Sequence, residues 1–340
     1  MDTLVTRELK KSGLIYVQDK EPGITRLRSG RGFHYRFPDR EPVRDTTIIQ
    51  RIKSLGIPPA YKDVWICMKE NGHLQATGLD ARGRKQYRYH PDWQTLRGER
   101  KYDQLLEFSQ CLPAIRRRSI SDIERSKSPE TVTLAAIVLL LDATFLRVGN
   151  KSYLRDNGTY GATTLLKRHV KFGNTIDLKF KAKGGTKVQR TLKQPRLQKI
   201  LEEIADLPGK QLFVWQDADN KIHPVDSSQL NGYLAGIAGQ SISAKTFRTW
   251  GGTLAAFSYA LRCLATSQPL TLKAMCHAAS LELCNTPAIC RKSYIHPAVL
   301  ALASDETTRT KLLKLTRSAA KRTAHMRKDE VLLRDFLSCV

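Results

Sequence analysis

The period of the hydrophobic pattern changes along this chain, and that change limits the folds open to it. Up to about residue 90, apolar residues come in short aromatic or β-branched runs bounded by glycine and proline, such as GLIYV (13–17) and FHYRF (33–37). Runs of this length and composition are typical of strands. Beyond about residue 100 the apolar residues recur at helical spacing, so the two parts predict different architectures.

The first part also predicts a hairpin and one helix. The stretch DVWICMKENGHLQATG (63–78) is expected to turn near Asn71-Gly72, a dipeptide favoured in tight β-turns. Asp45 can cap a short helix whose apolar residues share one face, and Gly56 can end it. We therefore expect a small β-rich domain over residues 1–90.

Helix start signals mark the second part. Ser128-Pro129-Glu130 precedes a leucine-rich run that predicts an apolar helix reaching Phe145. Pro195 can open another helix, and Ser243 can cap a third one that runs through Arg248.

A small antiparallel sheet is predicted between these helices. In IDLKFKAK (176–183) apolar residues alternate with charged ones, which indicates a half-buried strand. KVQRTL (187–192) can return beside it, and this places Lys183 at a hairpin tip. A polar, basic segment at 91–104 separates the two parts and predicts an interdomain linker. The expected fold is thus α+β, with a larger, mainly α-helical domain at 105–340.

The charge balance points to a polyanionic partner. Lysine and arginine number 57 against 32 aspartates and glutamates, which gives a net charge of +25. Such a field attracts nucleic acid and works against self-association. The longest apolar run, Leu134 to Leu141, is far shorter than the ~20 residues that a membrane-spanning helix needs. We expect nucleic acid as the leading partner class; a basic protein with a solvated surface is the alternative, and a role at a membrane surface comes third.

Several common chemical sites are absent from the sequence. Seven cysteines form no CxxC pair and are odd in number, so neither a zinc site nor a disulfide framework is expected, and a reducing cytoplasm is the expected location. There is no GxxxxGK[ST] loop, no HExxH and no cluster of carboxylates suited to Mg²⁺. Phosphate chemistry here would have to use arginine, lysine and a side-chain nucleophile.

That requirement has a definite physical form. Displacement at a phosphodiester puts negative charge on the nonbridging oxygens, which planar, always charged guanidinium groups stabilise. The leaving 5′ oxygen needs a proton, which a lysine can supply. A nucleophile that conserves the bond for resealing must form a reversible covalent ester, and a tyrosine phenol does so.

Residues of these types occur in motifs that resemble the catalytic domain of type IB DNA topoisomerases, in the small branch shared by poxviruses and bacteria. Two further motifs resemble the N-terminal domain of that branch, so the resemblance covers nearly the whole chain. The catalytic motifs, in their order along the chain, are FLRVGN (145–150), FKAKGGTK (180–187), KTFRTWGGT (245–253) and NTPAICRKSYIHP (285–297). The N-terminal ones are GIPPAYKDVWI (56–66) and GRKQYRY (83–89). The resemblance implies the catalytic fold shared with tyrosine recombinases, with a three-stranded antiparallel sheet.

The resemblance also implies a role for each catalytic residue. Arg147 and Arg248 would hold the nonbridging oxygens of the scissile phosphate, and Lys183 would protonate the departing 5′ hydroxyl. Tyr294 would attack phosphorus and hold the 3′ end. Asn285 occupies a position that is often histidine in this family; its amide can donate a hydrogen bond but cannot become a cation. Asparagine is usual in the bacterial members.

The motif GRKQYRYH (83–90) predicts a strand that contacts DNA from the N-terminal domain. One side would present Arg84, Gln86 and Arg88, and the other Lys85, Tyr87 and Tyr89. The alternative is an edge strand with a basic, solvated face. Arginine and lysine in IRRRS (115–119) and KRTAHMRK (321–328) are expected to make nonspecific phosphate contacts or to aid solubility.

The resemblance implies an isomerase that relaxes supercoiled duplex DNA as a monomeric clamp, with no metal and no ATP. A tyrosine recombinase is the nearest alternative, because it shares the chemistry and the fold. In recombinases a histidine usually precedes the second arginine by three residues, whereas Lys245 stands there in this chain, and Asn285 replaces a later histidine or tryptophan. A noncatalytic DNA-binding protein fits the charge equally well but leaves Tyr294 in RKSYIHP unexplained.

Overall fold

Two units form along the chain in this computed structural model, and they divide between Lys101 and Tyr102. The structure describes residues 9, 12–149, 154–155, 158–317 and 323–340. Asn150, the last residue of the FLRVGN motif, and Lys321 and Arg322 of the KRTAHMRK segment lie outside the described residues.

The first unit is built on an antiparallel sheet of five strands in the order β2-β1-β3-β4-β5. The strands are β1 (Ile24–Ser29), β2 (Gly32–Arg36), β3 (Lys62–Ile66), β4 (Leu74–Leu79) and β5 (Lys85–Tyr89). Helix α1 (Thr46–Ser54) contributes Ile52 to a core that includes Ile24, Val64 and Ile66. This sheet confirms the predicted hairpin, because β3 pairs with β4 across the Asn71-Gly72 region.

The ends of α1 follow the sequence signals, but one predicted strand is wrong. The Asp45 carboxylate accepts a hydrogen bond from Thr47 N at 2.7 Å, and Gly56 takes a positive φ of 59° just after the helix. GLIYV forms no strand; Ile15 makes only an isolated bridge to Gly72. Leu14 and Val17 of that run are buried and Tyr16 is exposed, so the burial does not follow the alternation of a strand.

The segment for which we predicted a linker is helical. Residues 91–104 form the beginning of α2 (Pro91–Arg125), a helix of 35 residues. The division between the two units falls inside that segment. The segment is rich in charged residues and contains Gly98, so its sequence does not predict a helix. The apolar residues recur at helical spacing only from residue 105 onward.

The second unit is mostly helical around a three-stranded antiparallel sheet of order β6-β7-β8. This confirms the predicted α+β class. The strands of this unit are β6 (Val170–Phe172), β7 (Ile176–Lys181), β8 (Lys187–Leu192), β9 (Val214–Gln216) and β10 (Ile222–Pro224). Its helices after α2 are α3 (Pro129–Thr144), α4 (Pro195–Asp206), α5 (Ser227–Ala238), α6 (Thr246–Ala265), α7 (Leu272–Leu283), α8 (Pro287–Ser293), α9 (Pro297–Ala301), α10 (Glu306–Arg317) and α11 (Lys328–Leu337).

Two predicted helix starts have different outcomes. Ser128 caps α3 as expected, since its hydroxyl accepts from Thr131 N at 3.2 Å, and Phe145 ends the helix in a left-handed conformation. Ser243 does not cap α6; its hydroxyl accepts from Lys245 N in a turn, and the helix begins one residue later at Thr246.

A buried ionic network ties three helices of the second unit together. The Arg116 guanidinium on α2 binds the Asp142 carboxylate of α3 at 2.8 Å and the Glu330 carboxylate of α11 at 2.7 Å. Glu330 is fully buried. The prediction that Arg116 in IRRRS contacts phosphate is therefore wrong, whereas Arg117 and Arg118 are exposed. Among the described residues, no helix has both the length and the hydropathy to span a membrane.

Candidate active site

Arg147 lies on the segment that follows α3, and its backbone is held on both sides. Ala162 N donates to Arg147 O at 2.8 Å, and Thr163 N donates to Val148 O at 2.7 Å. A Cβ on Gly161 would come within 2.6 Å of Arg147 O, so a glycine is required there. The backbone that carries Arg147 is thus fixed before any ligand binds.

Arg248 lies in the first turn of α6 and is buried, with 3% of its surface exposed. It donates to Phe145 O at 2.5 Å and to Leu283 O at 3.0 Å, while its Nε is buried without a hydrogen-bond partner. Burial, together with the nearby charge of Arg147, lowers the pKa of Arg248, and the Tyr294 phenol opposes that shift. Two guanidinium groups therefore lie close together with little solvent to screen them, as an anion-binding site requires.

Asn285 completes this group. It follows Cys284, which ends α7 in a left-handed conformation. Its Oδ1 accepts a hydrogen bond from Arg147 Nη2 at 2.5 Å, and its Nδ2 is buried with no hydrogen-bond partner. Because the amide oxygen can only accept, the amide nitrogen is the group that can donate to an incoming oxygen.

Tyr294 is half-buried at the end of α8, beside Arg248. Its ring centroid lies 5.2 Å from Arg248 Cζ, within the range of a cation–π contact. The backbone around it is anchored to α6, because the Thr253 hydroxyl donates to Tyr294 O at 3.2 Å and accepts from His296 N at 3.1 Å. The nucleophile candidate and Arg248 are thus held by the same helix.

The two glycines in KTFRTWGGT allow this close approach. A Cβ on Gly251 would lie 2.3 Å from the Phe145 ring, and one on Gly252 would lie 2.7 Å from Tyr294 O. Distances under 3.0 Å demand that the neighbour move. The pair therefore brings both the Arg147 segment and the Tyr294 segment against α6.

Lys183 lies at the tip of the β7–β8 hairpin, as predicted, and its side chain is exposed. The preceding residue, Ala182, lines a narrow cavity together with Arg147 and Arg248. Tyr160 N donates to Lys181 O at 2.9 Å, which fixes the base of the tip. The structure thus brings Arg147, Arg248, Asn285 and Tyr294 into one group and places Lys183 on the hairpin at its border.

Sequence reasoning missed Thr253 and Arg190. Arg190 lines the same cavity as Arg147 and Arg248. It follows the buried Val188 by two residues on β8, so it occupies a face where an apolar residue is expected. A charged residue at an inward position of a strand is a signal that was available in the sequence. Nothing in the sequence pattern singles out Thr253.

The β5 strand of the first unit carries the residues predicted to contact DNA, and most of them already have partners. The Asp80 carboxylate binds Arg84 at 2.7 Å and Gln86 at 2.9 Å, and Lys85 pairs with Asp19. The hydrogen bond from Arg84 is the main reason that the pKa of Asp80 is lowered.

The tyrosines of this strand are the more accessible groups. Tyr87 is 49% exposed and stacks on the half-buried Tyr89 at a centroid distance of 6.1 Å. The expected alternation of the two sides of the strand agrees with these contacts, and the role in DNA binding stays a prediction.

Comparison with known proteins identifies the family. Residues 90–326 match the family model described as eukaryotic DNA topoisomerase I, catalytic core, and residues 32–80 match that of the bacterial DNA topoisomerase IB N-terminal domain. DNA topoisomerase 1B of Acanthamoeba polyphaga mimivirus is 30% identical over 292 residues, which cover 82% of this chain and 87% of the viral protein.

A crystal structure of the XerH site-specific recombinase bound to its palindromic difH substrate aligns at a TM-score of 0.37 with 14% identity. It covers 61% of this chain and 51% of the recombinase chain.

The family matches define the chain as a DNA-binding isomerase of the topoisomerase class. Within that class, the chain belongs to the type IB DNA topoisomerase family, which confirms the resemblance seen in the sequence.

Proposed function

We propose that this protein relaxes supercoiled duplex DNA by cutting one strand with Tyr294 and resealing it. The observation that carries the proposal is the grouping of two guanidiniums and an amide beside the tyrosine. Arg248 lies 5.2 Å from the Tyr294 ring, and Arg147 contacts Asn285 at 2.5 Å. Buried donors without hydrogen-bond partners on Arg248 and Asn285 suit the nonbridging oxygens of a phosphodiester.

The proposed reaction exchanges one phosphoester for another. The Tyr294 oxygen bonds to phosphorus and its phenolic proton goes to solvent, while the bond from phosphorus to the 5′ oxygen breaks. Lys183 gives that oxygen a proton, and Arg147, Arg248 and Asn285 stabilise the charge on the nonbridging oxygens. The 3′ end stays esterified to Tyr294, so the free 5′ hydroxyl can reverse the step after the DNA has swivelled.

We expect duplex DNA to be the substrate and the protein to act as a monomer, with β5 of the first unit as a second DNA contact. Because the ester conserves the bond, the chemistry requires neither ATP nor a metal ion. The cytoplasm stays the predicted location.

Relaxation of a supercoiled plasmid in excess EDTA without nucleotide checks this proposal, and a strict need for Mg²⁺ would count against it. Relaxation by dilute protein of a plasmid without a special site separates this function from that of a recombinase.

The decisive experiment replaces Tyr294 with phenylalanine. Tyr294→Phe removes only the nucleophilic oxygen, so DNA binding in a gel-shift assay should be retained, while the covalent adduct and relaxation should disappear. Mass spectrometry of the wild-type adduct should place Tyr294 on a 3′ phosphate. An adduct on another residue, or on a 5′ end, would overturn the proposal.

A further inference from the structure

Two arginines bind the last three carbonyls of α7 between them, each to different carbonyls. Arg248 donates to Leu283 O at 3.0 Å, and Arg190 donates through Nη2 to Leu281 O at 3.2 Å and also to Glu282 O. The final carbonyls of a helix have no partners within the helix and carry partial negative charge. One helix end therefore serves as a common acceptor for two guanidiniums that come from different elements.

Arg190 lies on the strand that leads back from the hairpin tip. It pairs with Leu178 on β7, and beyond it Lys181 pairs with Lys187 just before the turn that holds Lys183. Buried Phe180 and Val188 hold one face of the hairpin against the core. The Arg190 contact adds a polar attachment on that inward face, directed at the end of α7.

The end of α7 also sets the positions of the phosphate-binding candidates. Leu283 O holds Arg248 directly, and Asn285 follows two residues later and contacts Arg147. Both Arg190 contacts use Nη2, whose N–H bonds lie in the rigid plane of the guanidinium and so fix direction as well as distance, whereas the donors of a lysine ammonium rotate. Through Arg190, the hairpin that carries Lys183 is attached to the same helix end.

We propose that Arg190 is a positioning residue that aligns the Lys183 hairpin with the phosphate-binding groups. This inference rests on the proposed function, in which Lys183 protonates the leaving 5′ oxygen. Loss of the attachment should displace Lys183 while leaving Arg147, Arg248 and Tyr294 in place. Misplacement of a catalytic group by about 1 Å can cost ~10²-fold in rate. We therefore expect Arg190→Ala to slow strand cleavage about 10- to 100-fold.

The test uses two suicide substrates that differ only at the leaving atom. One carries the ordinary 5′ oxygen at the scissile bond, and the other carries a 5′-bridging sulfur. A thiol has a pKa far below that of an alcohol, so sulfur leaves without a general acid. Single-turnover cleavage rates are measured with wild-type protein, Lys183→Ala, Arg190→Ala and Arg196→Ala. Arg196 on α4 is a charge-matched control, because its side chain is 73% exposed and pairs with Glu124 at the surface.

We expect Arg190→Ala to cleave the oxygen substrate slowly and to cleave the sulfur substrate at a rate within a few-fold of wild type. Lys183→Ala should show the same pattern. Equal losses on both substrates, or no loss at all, would overturn the proposal, because Arg190 would then act on the phosphate, on the fold or not at all. If Lys183→Ala is rescued by sulfur and Arg190→Ala is not, only the Arg190 proposal fails. If Lys183→Ala is not rescued, the general-acid assignment fails and takes this proposal with it.

A second variant guards against loss of folding. Arg190→Lys keeps the aliphatic stem and the charge, but its ammonium rotates and does not fix the direction of the contact. It should show a smaller loss on the oxygen substrate that sulfur again removes. The thermal unfolding of each variant is measured together with its cleavage rates. If Arg190→Ala does not fold, a folded Arg190→Lys still tests the proposal on the two substrates.

Discussion

At the scale of single residues, the glycine pair of α6 has the most direct effect on geometry. Gly251 faces the Phe145 ring and Gly252 faces the backbone of Tyr294. A methyl group at either position meets atoms that carry or adjoin a proposed catalytic residue. Sequence reasoning places these glycines in a motif, but only the packing explains why no side chain is tolerated.

Gly252→Ala should therefore lower both activity and stability. The added Cβ would lie 2.7 Å from Tyr294 O and 2.9 Å from Leu283 Cδ1, so the tyrosine must shift. We expect the cleavage rate to fall about 10²-fold, with a cost of about 1–3 kcal/mol in the free energy of unfolding from overpacking. Gly236→Ala on α5 is the control: beyond the helix's own backbone and the chain neighbours, no atom of the described residues lies within 4 Å of the added Cβ, and the helix should gain roughly 0.5–1 kcal/mol. Unchanged cleavage by Gly252→Ala would show that the tyrosine is not held by this contact.

Cys290, four residues before Tyr294, should be chemically inert. Burial raises the pKa of its thiol to about 11, although Arg248 and Arg147 oppose the shift. At pH 7.5 less than about one molecule in 10³ carries the reactive thiolate. Iodoacetamide should modify the exposed Cys339 in the native protein and Cys290 only after unfolding, as peptide mass spectrometry can show. Rapid native modification of Cys290 with loss of relaxation would contradict this prediction.

At the scale of elements, the sequence predicts those whose cause is local. Asp45 and Ser128 cap their helices, and the alternation in IDLKFKAK gives strand β7. Two predictions of elements are wrong. GLIYV is an irregular segment because its backbone hydrogen-bonds to residues 71–73, which are distant in the sequence. The charged start of α2 is helical in spite of its composition. The contact between Arg147 and Asn285 joins residues far apart in the sequence, so only the motif resemblance could anticipate it.

The Arg116 network gives an element-scale prediction. Burial would raise the pKa of Glu330, but the hydrogen bonds and charge of Arg116 outweigh it and leave that pKa below its ordinary value. A carboxyl group whose folded pKa is depressed stabilises the fold above its unfolded pKa, near 4.3, and loses this contribution as pH falls through the folded pKa. Glu330→Gln should cost about 3–5 kcal/mol in the free energy of unfolding at pH 7, and less at acidic pH.

Denaturant unfolding at several pH values measures that difference. Arg118→Ala on the same helix is the matched control, because its side chain is 61% exposed and solvent screens its ion pair with Asp122. A stability difference between wild type and Glu330→Gln that stays constant down to pH 3 would exclude Glu330 as the source.

At the scale of the whole molecule, we expect the net charge of +25 to be the main determinant of DNA affinity. Binding that neutralises phosphates releases counterions, so the logarithm of the association constant falls linearly with the logarithm of salt concentration. For six to ten phosphate contacts, affinity should drop by roughly 10³- to 10⁵-fold between 50 and 200 mM salt. Fluorescence anisotropy with Tyr294→Phe protein measures this without cleavage. An affinity that hardly changes with salt would mean that phosphate contacts are not its main source.

The anchoring of Tyr294 to α6 also bears on whether two copies of the chain can cooperate. Ile295, next to it, is fully buried, and Thr253 bonds both Tyr294 O and His296 N. If Tyr294 were to enter the active site of a second molecule, Ile295 would have to leave the core. Both hydrogen bonds of Thr253 would also have to break. If the proposed roles hold, we predict that each molecule supplies its own reacting groups. A mixture of one copy that lacks Tyr294 and another that lacks Arg248 should then not regain activity.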